Sequence, residues 1–238
     1  MRIRSIQPLL CAIALTSMLA HAQARVPGAR IEVHARLAFP GQQLKRHMPP
    51  AVLWLKPVNG TTTPPFPAHG QYSLVQKDRM FMPHLLVVPV GSVVSFPNKD
   101  PFFHNVFSLF DGKRFNLGLY EAGSTRTVNF SREGVSYIFC NIHPEMSAVV
   151  LALLTPLYAI ADGSGTFQLH DVPTGEYEMH LWVEGIPEPD LERFMRDVHI
   201  APGIDDLGDL KMMSIPQQPA AHLNMYGRPY DKDSKPAY

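Results

Sequence analysis

Cysteine is scarce in this chain: Cys11 and Cys140 are the only two, and Cys11 lies in a segment that reads as a cleaved leader. A single remaining cysteine cannot form an intramolecular disulfide, which excludes a disulfide-stapled framework. An excess of either charge is also lacking, with 21 Lys+Arg against 21 Asp+Glu. That balance offers no handle for nucleic acid or an anionic membrane. Helical periodicity is not sustained anywhere. No Gly-rich phosphate loop, Ser/His/Asp order or paired catalytic carboxylates stand out.

Beyond the N-terminus no apolar run is long enough to span a membrane. Met1 to Ala24 carries Arg2 and Arg4, an apolar stretch around Leu9 to Leu19, and the small-residue run Ala22-Gln23-Ala24. These are the parts of a secretory signal, too short and wrongly flanked for a span. Leu9 and Leu10 rather than a small residue precede Cys11, so it is not read as a lipid anchor. Removal of the leader leaves 19 Lys+Arg against 21 Asp+Glu, a net charge of −2. The mature chain is expected in the periplasm.

What the chain does contain is concentrated in residues 140 to 146, Cys-Asn-Ile-His-Pro-Glu-Met. A thiolate, an imidazole and a thioether within seven residues form a soft-metal ligand set. A lone thiol in an oxidising compartment is a liability unless something occupies it. A buried, inert cysteine is the plainer reading; His143 and Met146 at three and six residues further on weigh against it. One more histidine would complete the trigonal Cys-His-His site with a weak axial Met that holds blue copper. His104 is the candidate, because it follows the Val93, Val94, Phe96 run and an Asn-Lys-Asp-Pro turn. It is expected on a separate loop. Asn105 beside it is a candidate hydrogen-bond donor near the sulfur, where such bonds tune the potential.

The architecture reads as all-β. Short apolar runs broken by turn residues predict strands at 52–55, 85–90, 92–96, 125–130, 135–139, 148–153, 166–169 and 177–183. Leu191 to Asp197 is a candidate short helix. Thr61 to Gly70, with its prolines, reads as an exposed loop. The turns Ala161-Asp162-Gly163 and Thr174-Gly175-Glu176-Tyr177 suggest a second sandwich with a tyrosine tied into its corner. The expected organisation is a signal peptide at 1–24, N-terminal strands and loop at 25–78, a copper domain at 79–154, a second β-sandwich at 155–213 and a poorly ordered tail at 214–238. Residues 31–56 fit either sandwich, and their strand-turn-strand pattern slightly favours the second. In that arrangement the copper domain is inserted.

Phe102-Phe103-His104-Asn105-Val106-Phe107-Ser108 and Phe139-Cys140-Asn141-Ile142-His143-Pro144-Glu145-Met146 resemble the plastocyanin/azurin-like cupredoxins. The Cys140-x-x-His143-x-x-Met146 spacing looks like amicyanin. Together the two motifs are similar to bacterial periplasmic proteins of the methylamine utilization or plastocyanin-like type. The resemblance implies a Greek-key cupredoxin sandwich with one type 1 copper ion on His104, Cys140, His143 and Met146. It also implies that electrons leave by the exposed edge of His143. Residues 155–211 more loosely resemble the transthyretin-like, carboxypeptidase regulatory-like sandwich.

Phe139 and Asn141 flank Cys140, so the adjacent-histidine relay of multicopper oxidases and nitrite reductases is missing. The chain is therefore expected not to be an enzyme. The leading expectation is a periplasmic carrier of single electrons, partnered by a dehydrogenase, cytochrome or oxidase. The alternative is a copper-handling chaperone or sensor whose second sandwich docks a client. Met80, Met82 and His84 could present a softer copper(I) site, although core or surface roles are the commoner use of such residues. His34, His47, His69, His170, His180, His199 and His222 have no ligand spacing and read as surface residues.

Overall fold

The computed structural model describes residues 30–41, 48–66, 71–109, 112–203, 206–217 and 222–230. The leader and Cys11 lie outside them. The chain opens with β1 (Arg30–Ala38) and β2 (Ala51–Pro57). A long middle run follows: β3 (Tyr72–Ser73), β4 (Val75–Lys77), β5 (Met80–Met82), β6 (Leu85–Pro89), β7 (Ser92–Pro97), β8 (His104–Ser108), β9 (Phe115–Tyr120), β10 (Thr125–Phe130), β11 (Gly134–Cys140) and β12 (Ser147–Leu153). The last run is β13 (Tyr158–Ile160), β14 (Thr166–Pro173), β15 (Gly175–Val183), α1 (Glu188–Glu192), β16 (Arg196–Ile200) and β17 (Asp206–Lys211). The protein is an all-β sandwich fold. No helix of the described residues is long and apolar enough to cross a membrane.

Strand pairing sorts these elements into two sandwiches. The central one faces the sheet β6-β12-β11-β8-β9 with the sheet β10-β7-β3, and the β4-β5 hairpin joins it. The terminal one uses both ends of the chain, in the sheets β14-β1-β17 and β13-β2-β15-β16. Ala35 stands opposite Phe167, Leu37 opposite Leu210, and Leu53 opposite Leu181. A boundary at 78/79 does not survive this pairing. Tyr72 pairs with Val94 and Ser73 with Ser95, so the central sandwich begins at Tyr72.

The side-chain alternation of single strands explains how the sandwiches meet. In β12, Ala148, Val150 and Ala152 enter the central core. Val149, Leu151 and Leu153 point the other way and meet Val52, Trp54 and Trp182 of the terminal sandwich. In β2, Ala51, Leu53 and Leu55 face the terminal core while Val52 and Trp54 face this seam. A strand covered on both faces must be apolar at every position, which accounts for the unbroken Ala148–Leu153 run. Polar links cross the seam as well. Lys56 pairs with Glu133 at 3.0 Å, and His84 Nε2 lies 2.7 Å from Glu184.

Two local expectations change. The helix is Glu188–Glu192, not 191–197, because proline at its first turn starts it early. Arg196–Ile200 is instead drawn into pairing with β15. The turn begun at Asp162 closes on Gly165, whose amide donates to the Asp162 carbonyl at 2.9 Å; its φ is +85°, and a Cβ there would fall 2.9 Å from the Leu37 carbonyl. The Tyr177 hydroxyl donates to the Pro173 carbonyl at 2.7 Å, closing the corner between β14 and β15.

Candidate metal centre

The site lies at one end of the central sandwich. β11 runs Gly134–Cys140 and β12 starts at Ser147, so residues 141–146 make a short loop between antiparallel neighbours. The loop is closed by its own backbone. The Cys140 amide donates to the Met146 carbonyl at 3.2 Å, and the Met146 amide to the His143 carbonyl at 3.1 Å. His104 is the first residue of β8, a strand rather than the separate loop expected. All five residues of β8 are buried, and Cys140 stands opposite Val106 in the pairing with β11. Sheet register therefore places the remote histidine beside the cysteine.

Three donor atoms converge. His104 Nδ1 lies 3.6 Å and His143 Nδ1 3.5 Å from Cys140 Sγ, and the two nitrogens are 3.2 Å apart. A point about 2.0 Å from all three lies within that triangle, a normal bond length from nitrogen and slightly short from sulfur for a divalent ion. His104, Cys140 and Met146 are fully buried, and His143 is 6% exposed. Met146 is packed in the same core cluster as Cys140. The donor set and its spacing fit a single soft or borderline cation.

The imidazole of His104 is locked from behind. Its Nε2 lies 2.9 Å from Asp100 Oδ2, and Asp100 is itself buried. Nε2–H donates to the carboxylate, which leaves the Nδ1 lone pair facing Cys140. Asp100 is held by the backbone amides of Asp78 and Arg79, at 2.6 and 3.1 Å. Asp78 and Arg79 have φ of 55° and 57°. Two successive left-handed residues aim both amides at one anion, and the buried carboxylate offsets the backbone strain. Phe102 rests 5.4 Å from both histidine rings, with the Arg79 guanidinium 5.2 Å above it.

Protonation follows from burial. Desolvation pushes His104 below its ordinary value against the pull of Asp100, and it brings His143 down to about 4, helped by His104 and Arg79. Burial pushes the Cys140 thiol up, opposed by hydrogen bonds from the amides of Asn105, Ile142 and His143. Asn105 thus reaches the sulfur through its main chain. Burial would raise Asp100, but the amides of Arg79 and Asp78 and the His104 bond prevail and hold it low. At neutral pH the two imidazoles are neutral donors. The thiol keeps its proton until a cation displaces it.

Sequence reasoning missed three participants. Asp100 stood four residues before His104, a usable signal. His222 and Tyr230 lay in the stretch read as a poorly ordered tail and carried none. Residues 222–230 have a defined place against the site. Tyr230 donates to the Cys140 carbonyl at 2.8 Å, and the Met225 amide donates to Asn141 Oδ1 at 2.8 Å. His222 is not a surface residue: it stacks on Phe139 at 4.2 Å. The edge of His143 is also less open than expected, because Phe102 packs on it. Of the Met80/Met82/His84 run, the two methionines are exposed, but both nitrogens of His84 are engaged, by the Ser147 carbonyl and Glu184.

No family model matches the chain, and no curated protein matches it. Among solved structures, a novel purple cupredoxin from Nitrosopumilus maritimus is similar over 35% of this chain and all of its own, at 25% identity and a TM-score of 0.32. A reduced Cu(I) mutant of amicyanin matches 36% of this chain and 85% of its own, at 20% identity and a TM-score of 0.34. The Cu-containing nitrite reductase of Thermus scotoductus SA-01 matches 41% of this chain and 25% of its own, at 22% identity and a TM-score of 0.34.

Proposed function

We propose that the protein holds one type 1 copper ion on His104, Cys140 and His143, with Met146 as the weak axial donor, and carries single electrons between periplasmic redox partners. The observation that carries this is the buried triangle of two imidazole nitrogens and one cysteine sulfur with sides of 3.2, 3.5 and 3.6 Å. Copper bound there supplies a one-electron couple. The chain does the rest. Asp100 fixes one imidazole, three backbone amides stabilise the thiolate, and the sheet holds β8 against β11. A site set in advance reorganises little when its charge changes, which suits a carrier.

Burial favours the carrier over the copper-handling alternative. A chaperone must release its ion, and donors this enclosed oppose release. The exposed pair Met80 and Met82 is the feature that favours handling, and it lacks the free imidazole of His84. The periplasmic placement rests on Met1 to Ala24, and the partner is a dehydrogenase, cytochrome or oxidase that receives or supplies one electron. The test is copper(II) titration of the purified protein, followed by its visible spectrum. An intense blue or green thiolate-to-copper band that saturates at one equivalent supports the reading. A colourless copper(II) form with Cys140 still open to alkylation sinks it.

A further inference from the structure

We propose that residues 222–230 are a clasp on the metal loop and that Tyr230, backed by His222, is a positioning residue of the centre. The inference rests on the copper reading above and adds to it a part of the chain far from the ligand motifs. The segment is a built element. The Asn224 amide donates to the Arg228 carbonyl at 2.8 Å and the Gly227 amide to the Asn224 carbonyl at 2.9 Å. Asn224 Oδ1 accepts from the amides of Tyr226 and Arg228, at 2.9 and 3.1 Å. That closed turn presents its contacts toward β9, β11 and the loop after β11.

The contacts meet the ligand loop at its hinge. Tyr230 Oη donates its one proton to the Cys140 carbonyl, so the 3.2 Å contact between Oη and His222 Nδ1 needs the proton of the imidazole. His222 Nδ1–H, shared between the Leu223 carbonyl at 3.1 Å and Tyr230 Oη, leads through the Tyr230 O–H into the Cys140–Asn141 peptide, and the Asn141 amide donates onward to the Asn105 carbonyl at 2.8 Å. Linked bonds of this kind polarise one another. The chain of bonds ends on the carbonyl of Asn105, the residue after His104, and the same residue gives its amide to the sulfur. The clasp thereby fixes the thiolate strand, the loop and the remote histidine strand at once.

Packing agrees. Phe107 belongs to none of the three buried clusters, yet it is 1% exposed. The His222 ring lies 6.2 Å from it and 4.2 Å from Phe139, covering the outer face of β8 and β11. Met225 adds two anchors: its amide on Asn141 and its sulfur, 3.5 Å from Asn116 Nδ2.

The test compares full-length protein, Tyr230→Phe, and a chain ended after Gln217, which keeps every residue of the three buried clusters. In metal-free protein, alkylation of Cys140 by N-ethylmaleimide reports opening of the loop. Tyr230→Phe should speed it about tenfold, on the order of one buried hydrogen bond lost, and truncation should speed it further. In copper-loaded protein, Tyr230→Phe should displace the charge-transfer band and lower the reduction potential, since the positive end of the lost O–H dipole pointed at the centre. A tail that only adds stability would lower the melting temperature and leave alkylation rate and potential at their wild-type values, and that result overturns the proposal. Truncation that acts where Tyr230→Phe does not overturns the assignment to Tyr230. Failure to colour with copper would sink the copper reading alone, because the metal-free measurement still decides the clasp.

Discussion

The two sandwiches share an architecture and differ in what they bury. The terminal core is apolar throughout, from Val33 and Leu53 to Tyr177 and Met212. The central sandwich buries Gln76, Asn98, Asp100, His104, Asn105, Ser108, Ser136 and His143 within or beside its core. Buried polar groups cost free energy unless each is partnered. The side chains of Gln76, Asn98, Asp100 and His104 have partners, whereas Asn105 Oδ1, Ser108 Oγ and Ser136 Oγ have none among the described residues. Gln76 donates to the Tyr120 hydroxyl, and Asn98 accepts from the Asp100 amide at 3.0 Å while donating to the Phe102 carbonyl at 2.7 Å. The chain of bonds leads to Asp100 and then His104. One sandwich is packed for stability; its neighbour gives up stability to hold a donor set, and the seam lets the first support the second.

The sharpest break of that contrast is Cys140→Ser. It should abolish the coloured copper form while leaving the terminal sandwich folded, checked by visible absorption and circular dichroism together. Leu53→Ala should do the reverse. It should cost about 2–5 kcal/mol by denaturant unfolding through the cavity left in the terminal core, with the copper band unmoved.

Asp100→Ala probes the link between polar network and site. Metal affinity should fall about 10–100-fold by competition titration, the usual loss when the partner of a ligand histidine is removed. Met146→Leu should keep the copper and raise the reduction potential in voltammetry, because a weak donor that favours copper(II) is gone. An unchanged potential would mean that Met146 is not axial.

The smallest effect lies at the seam. The Glu184 hydrogen bond raises the pKa of His84, against burial. A raised folded value means that the contribution to stability is complete below about pH 6.5, the unfolded value, and fades as pH climbs through the folded one. His84→Gln should flatten that decline. The change should stay below about 1 kcal/mol, since the His84 side chain is 41% exposed and solvent screens the pair.

Much of the site was legible because its parts are local. Cys140, His143 and Met146 share one loop, and their side-chain chemistry names a metal class before any fold is known. His104 was legible as a candidate, but its placement at the head of β8 was not, since a strand buried on both faces shows no alternation. Leu85, Val87 and Val149 read only as apolar. Nothing in their pattern says that one face of each strand serves a neighbouring sandwich.

The sequence by itself determined the donor types, their tight spacing around Cys140, the β character of the chain and the turns that break it. These are properties of residues a few positions apart. The tertiary structure decided which strands both termini contribute to one sandwich, which carboxylate orients His104, and that Tyr230 reaches the Cys140 carbonyl across 90 positions of chain. Such contacts come from sheet register and close packing, which arise only when distant segments compete for the same buried space.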